Sequence, residues 1–282
     1  MVKISLLMYL AHTHCCASSA SACVDDLSEW MKANRLQLNH SKTEVLWCSS
    51  ARRQHQIPTA PVRIGNTSVL PVPSVRNLGV YLDADLAMST HVIATVRACF
   101  AALRQIRSVR RSLSRDALLA LLRALVVSKV DCYSTVLAGV YGSFLQRLQS
   151  VMNAAARLVF SARRSDHVTP LLRELHWLKV PERIRFRLCV LAHRCLHGTA
   201  PQYLAETLQP TSGMSTRRHL RSAATSTLAV PSTRRSTLGD RAFPVAAARA
   251  WNSLSSSLRT VPSLTSFRRL LKAELFEASF SN

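Results

Sequence analysis

The sequence predicts an α+β fold: a small N-terminal part built from short antiparallel strands and one helix, followed by a mainly helical remainder. Three observations carry this. Apolar residues alternate in several short runs before Asp83 and recur at helical spacing after it. A Gly65-Asn66 pair separates two of the alternating runs, the mark of a hairpin. The chain of 282 residues is 48% hydrophobic, enough for a core, and at roughly 150 residues per domain it allows two domains or one with appendages.

Residues 1–22 fit no element uniquely. Lys3, the apolar run Ile4 to Ala11 and Ala20-Ser21-Ala22 have the outline of a secretory signal, and the same run suits a buried strand. It is too short to span a membrane. Residues 23–88 form the first recognisable part. From Ala20 to Arg35 the residues Cys23, Leu27, Trp30 and Met31 recur at helical spacing, with Asp25, Asp26 and Glu29 in the early turns, where carboxylates complement the helix dipole. Lys42 to Cys48 alternates as a strand, Val62–Ile64 and Ser68–Leu70 flank the Gly-Asn turn, and Val75 to Leu82 reads as one further strand.

Residues 89–208 turn helical. Ser89 or Thr90 can cap a helix whose stripe is Val92, Val96, Cys99, Leu103 and Ile106, and whose opposite face carries Arg97, Arg104, Arg107 and Arg110. Asp116 to Leu137 is apolar nearly all round, as in a buried helix or pair of helices. Phe144–Phe160, Arg183–His197 and Pro201–Leu208 continue the array. Residues 209–240 are rich in Ser, Thr and Arg. From Arg217 to Arg249 there are seven arginines and one acid, Asp240, so this reads as a flexible basic segment that orders on nucleic acid. Residues 241–282 close the chain with a helical region that includes Ser263–Phe276. Arg, Lys or Asp interrupts every long apolar run, which excludes a membrane-spanning helix.

Lys and Arg number 37 against 15 Asp and Glu, a formal net charge of +22. A polyanion neutralises such an excess with release of counterions, so nucleic acid is the leading partner and an anionic membrane surface the second. Of the bases, 31 are Arg and 6 are Lys. Arginine's fork suits phosphate and base stacking, although codon drift produces the same bias. Eight cysteines are scattered mostly within apolar runs, the pattern of a reducing compartment, hence an intracellular protein of the cytoplasm, the nucleus or both.

Several stretches carry a family resemblance: LSEWMKANRLQLNHSKTEVL, VRNLGVYLDADLAMSTHV, VDCYSTVLAGV, LQSVMNAAARLVF, HVTPLLRELHWLKVPERIRFRLCVLAHRCLHGTAPQYL and RAFPVAAARAWNSLSSSLRTVPSLTSFRRLLKAELF. In this order, covering almost everything from Cys23 to Phe276, they resemble the C-terminal part of reverse transcriptases of non-LTR retrotransposons, of the jockey or CR1-like kind. The resemblance implies that residues 23–88 are the remnant of a polymerase palm and that 89–208 are the thumb and connection region. It places Lys42 on the palm lysine near the incoming nucleotide, and Asn77, Leu78 and Gly79 on the segment that supports the primer end. In the intact family, carboxylates hold Mg²⁺, one set on a Tyr/Phe-Ala-Asp-Asp hairpin just before the helix at Cys23. Here that place reads ISLLMYLAHTHCCASS, with no Asp or Glu before Asp25. Two-metal phosphoryl transfer needs such carboxylates, so no cofactor is retained and a catalytic residue is not expected.

Other clusters have plainer readings. Asp25-Asp26 reads as helix N-terminal charge, and Asp83 and Asp85 as the end of a strand and the opening of a turn. His12, His14, Cys15 and Cys16 lack the paired spacing of a zinc site. Cys189, His193 and His197, with Cys195, share an amphipathic helix where core packing outweighs metal binding. Trp177, Trp251 and Phe243 read as core anchors ahead of base-stacking surfaces.

The expected function is therefore that of a truncated RNA-directed DNA polymerase fragment, inactive alone, that binds RNA or an RNA–DNA primer-template duplex. The binding residues are Lys42, Asn77, Leu78, Gly79, Arg97, Arg104, Arg107, Arg110, Arg111, Arg217, Arg218, Arg221, Arg234 and Arg235. The alternative is a helical protein-interaction module that uses the apolar face from Leu118 to Val127, with self-association through exposed palm strand edges.

Overall fold

The computed structural model describes residues 5–9, 16–39, 42–211, 226–234 and 236–280. It is α+β, with short strand pairs first and helices after them, and it divides into two compact units, Met1–Ala94 and Thr95–Asn282.

In the first unit, strand β1 (Ser5–Tyr9) leads into helix α1 (Cys16–Ala33) and on to strand β2 (Glu44–Cys48). β1 and β2 pair in parallel, Ser5 opposite Glu44 and Tyr9 opposite Cys48. The apolar N-terminal run is thus a strand, and this pair departs from the expected all-antiparallel set because the helix between the strands acts as a crossover. β3 (Val62–Ile64) and β4 (Thr67–Val69) form the hairpin around Gly65-Asn66. The run expected as one strand is a second hairpin, β5 (Ser74–Asn77) and β6 (Val80–Asp83), turned at Leu78 (φ 47°) and Gly79 (φ 91°). Two successive positive φ values are the two-residue turn that matches strand twist.

β2 is buried on both faces. Val45 and Trp47 join Val24, Met31, Leu38, Val62 and Ile64, while Leu46 and Cys48 pack with Val75 on the other side. Burial lifts the Cys48 thiol to a pKa of about 11. In α1 the buried stripe is Val24, Leu27 and Met31, whereas Cys23 is exposed and Trp30 is 58% exposed. Cys23 and Trp30 lie about 100° round the helix from that stripe. Because α1 begins at Cys16, Asp25 and Asp26 sit in mid-helix and not at its start. Asp25 pairs with Arg63 of β3 at 2.8 Å.

Helix α2 (Ser89–Val109) begins in this unit. Its first turn is capped by neither Ser89 nor Thr90 but by the buried Asp83, whose Oδ2 accepts from Ser89 Oγ at 3.0 Å and Thr90 N at 3.2 Å. Asp85 Oδ1 accepts from Ala87 N. Both carboxylates serve local turns, as the sequence suggests.

The second unit is helical. α3 (Arg115–Leu122) continues through a π segment, Arg123–Val127, into α4 (Ser128–Asp131). Its buried residues Leu118, Leu122, Val126 and Val130 are spaced by four. At 3.6 residues per turn, each four-residue step drifts about 40° round an α-helix. The wider π turn absorbs that drift and keeps the stripe inward. Ser128 N–H donates to the Arg123 carbonyl, and the Ser128 hydroxyl donates to the Ala124 carbonyl that the shift releases. The apolar Leu118–Val127 face, read as a partner surface, is largely covered by its own chain: α3 and the π segment pack on α5 (Gly142–Phe160). Leu125 alone on it stays 40% exposed.

α6 (Thr169–Glu174) leads to α7 (Val180–Leu196), which contacts α5, α8 (Gln202–Ala205), α10 (Phe243–Asn252) and α12 (Leu264–Phe280). The short helices α9 (Ser236–Gly239) and α11 (Ser256–Arg259) flank α10. Arg183 of α7 forks onto both oxygens of Asp131 at 2.7 Å. Trp251 is 1% exposed and donates from Nε1 to Ser226 O at 2.8 Å. Asn252 accepts from Leu228 N and donates to Leu228 O, both at 2.8 Å. Within the segment expected to be flexible, 226–230 is therefore tied to α10, and Pro210 bridges Leu228.

The His193 ring, 1% exposed, lies between those of His197 (3.9 Å) and Phe267 (4.4 Å) and donates from Nε2 to Val261 O. His197 donates from Nδ1 to His193 O. Both rings are engaged in packing and backbone bonds, and among the described residues no group of three or more His, Cys, Asp or Glu could hold a metal. Burial lowers the pKa values of His193 and of His91 in the first unit. The unfolded chain takes up protons below its ordinary His pKa of about 6.5 while the folded one resists. Stability contributed by these rings is present above that value and is lost as pH falls. The urea midpoint is expected to drop between pH 7.5 and pH 5.5, and an unchanged midpoint would refute this assignment.

Candidate nucleic-acid interface

α2 presents its apolar stripe inward, with Val92, Cys99, Leu103 and Ile106 buried. That fixes Arg97, Arg104 and Arg107 on the exposed side. Arg110, read as a further member of this face, does other work. Its Nε donates to Leu158 O at 2.8 Å and its Nη2 to Val159 O at 3.2 Å, so the guanidinium caps the carbonyl end of α5 and complements its dipole. Arg111 is exposed, in the 3-10 turn that follows.

Arg104 and Arg107 do not stand on an open helix face. They form one wall of a groove of about 500 Å³ whose other wall is α5 and the loop after it, with Arg157 and Arg164. Phe100, Leu103 and Leu158 make an apolar floor, and the small side chains Ser150, Ala154 and Ala162 leave the space open. No carboxylate lines it. Arg104, Arg107 and Arg164 are exposed and have no hydrogen-bond or ion-pair partner among the described residues. Arg157 donates from Nη2 to Asp166 O at 3.1 Å, while its buried Nε has no partner. Four guanidinium groups over an apolar floor suit a chain of phosphates: the forks take phosphate oxygens and the floor takes sugar or base.

The remaining expected residues fall elsewhere. In the first unit Lys42 is exposed at the turn before β2, where its N–H donates to Asn39 O at 3.2 Å and Thr43 Oγ1 donates to the same oxygen at 2.8 Å. Asn77, Leu78 and Gly79 form the tip of the β5–β6 hairpin, and Leu78 is 84% exposed. Gly79 therefore serves a turn and not a close approach within a strand. Arg97 and Arg111 do not line the groove, and Arg234 is exposed on the stretch before α9. Arg217, Arg218, Arg221 and Arg235 lie outside the described residues, as do His12, His14 and Cys15. Trp177 is buried at 6% exposure, like Trp251, so neither ring offers a broad stacking face.

Arg157 and Arg164 are the residues that sequence reasoning missed. Their signal was present in LQSVMNAAARLVFSARR, where a run of small residues precedes arginines on a helix otherwise devoted to packing. Among the described residues no helix is long and apolar enough to cross a membrane. A scan against protein-family models found no match, and neither did searches of curated proteins and of solved structures.

Proposed function

We propose that this chain is a fragment of the non-LTR retrotransposon reverse transcriptase type, comprising the end of a palm, a thumb and the region after it. In this reading it binds an RNA–DNA primer-template duplex and does not polymerise by itself. The observation that carries the reading is the groove between α2 and α5, lined by four arginines and no carboxylate. It lies in the part that the resemblance assigns to the thumb, the element that grips duplex in such polymerases. The net charge of +22 and the ordered motif series support the same reading. Lys42, on a turn, can reach a phosphate as a mobile point charge. The stretch that precedes α1 supplies none of the carboxylates that two-metal transfer needs, since the first acidic residue is Asp25, in mid-helix and paired with Arg63.

The test is fluorescence anisotropy of a labelled RNA–DNA primer-template against nuclease-treated protein at several salt concentrations. Log affinity should fall linearly with log salt, by about 0.9 for each phosphate neutralised on a B-form duplex. A flat response in folded protein would overturn the reading, and so would primer extension by the purified chain with Mg²⁺.

A further inference from the structure

A second cleft in the helical unit, about 670 Å³, shares no residue with the α2–α5 groove. Its walls carry Arg123, Arg183, Arg187, Arg194, Arg268 and Lys272 against a single carboxylate, Asp131. That carboxylate is already neutralised by the Arg183 fork at 2.7 Å and by Arg187 at 3.5 Å. Arg123, Arg268 and Lys272 are exposed and have no hydrogen-bond or ion-pair partner among the described residues. The cleft therefore holds cationic charge that nothing described within the chain satisfies.

Three further features converge there. Ser134, 3% exposed, lines the cleft with a buried hydroxyl that has no hydrogen-bond partner, an unmet polar group of the kind a ligand completes. Tyr133 sits beside it in the left-handed region at φ 57°, a conformation unfavourable for a bulky side chain, and keeps 41% of its surface exposed. Arg123 and Val127 belong to the π segment, a distortion frequent at functional sites. Val190, Leu191 and Phe186 supply an apolar wall.

We propose that this cleft binds an unpaired nucleotide, with its phosphates on Arg187, Arg268 and Lys272 and its base against Tyr133. Excess cations beside an exposed aromatic ring are the two halves of single-strand recognition, backbone neutralisation and stacking. A simple anion would need only the first half. The choice of a nucleotide rests on the nucleic-acid reading above, but the cleft is separate from the groove that carries it. The same chemistry is offered by an unpaired stretch of an RNA strand and by a free nucleoside triphosphate.

The experiment uses the full chain, a short labelled oligouridylate and a labelled RNA–DNA duplex, each titrated at fixed salt. The double variant R268S/K272S removes two exposed cations from the outer face of α12, and circular dichroism checks its fold. Its affinity for the oligouridylate should fall at least about tenfold, with duplex affinity within about twofold of the parent chain. Tyr133→Ala should weaken the oligouridylate by about tenfold without changing its salt slope, because stacking releases no counterion. Displacement of the oligouridylate by ATP identifies free nucleotide as a ligand of the cleft, and binding that ATP does not displace assigns the cleft to strands. Unchanged oligouridylate affinity in a folded R268S/K272S chain would overturn the proposal, as would equal losses for both probes. A chain that binds the oligouridylate here yet ignores the duplex would instead sink the duplex reading and leave this one standing.

Discussion

The triple variant R104S/R107S/R164S is expected to lose RNA–DNA duplex affinity by about two orders of magnitude at physiological salt and to keep its stability. These three side chains are exposed and have no partner among the described residues, so their removal leaves no orphaned group in the fold. Each phosphate that is no longer neutralised should also flatten the plot of log affinity against log salt by about 0.9, or between about two and three for the set. Arg157 is left intact in this design because it also holds the carbonyl of Asp166. R97S/R111S is the informative control. It removes two cations from the same stretch of chain, but neither lines the groove, so it should cost no more than severalfold. Equal losses from the triple and the control would show that the basic stretch acts by net charge alone and that the groove has no particular role.

The second large effect concerns folding. Trp251→Ala should destabilise the helical unit by about 4 kcal/mol, the range for emptying a buried aromatic site. Trp251 packs against the rings of His193 and Phe267, with centroids at 6.3 and 5.6 Å, and its removal also leaves the Ser226 carbonyl without its donor. Urea unfolding followed by circular dichroism measures it. Trp30→Ala is the matching control in the other unit, and its 58% exposure predicts a change within about 0.5 kcal/mol. A small effect at Trp251 would mean that the stacked cluster does not hold α7, α10 and α12 together.

These two tryptophans show what could be read from the sequence and what could not. Both sit at helical spacing among apolar neighbours, and periodicity alone puts both in a core. It cannot say where α1 starts, and a register one residue away from the assumed one moves Trp30 out of the stripe. The helices after Ser89 were legible because long 3.6-residue patterns constrain themselves, and the Gly65-Asn66 hairpin was legible because its turn chemistry is local. The parallel β1–β2 pair was not, since it depends on residues nearly forty apart in the chain. The candidate site divides in the same way. Arg104 and Arg107 follow from the face opposite the apolar stripe, but their meeting with Arg157 and Arg164 is a tertiary fact. Arg110 looks identical to them in sequence and is consumed by the end of α5, because only the packing of α2 on α5 brings those carbonyls within reach.

The π segment at Arg123–Val127 makes residue number, and not only residue type, part of the second cleft. Deleting one residue there would let the helix run on as an ordinary α-helix and swing everything after it by about 100°. Asp131 would leave the Arg183 fork, and Tyr133 and Ser134 would leave the wall, although no side chain in the cleft had been changed. Substitutions at Ala124 or Leu125, both exposed, should be tolerated there. A single-codon gain or loss should not, so this stretch should accept changes of letter far more readily than changes of length.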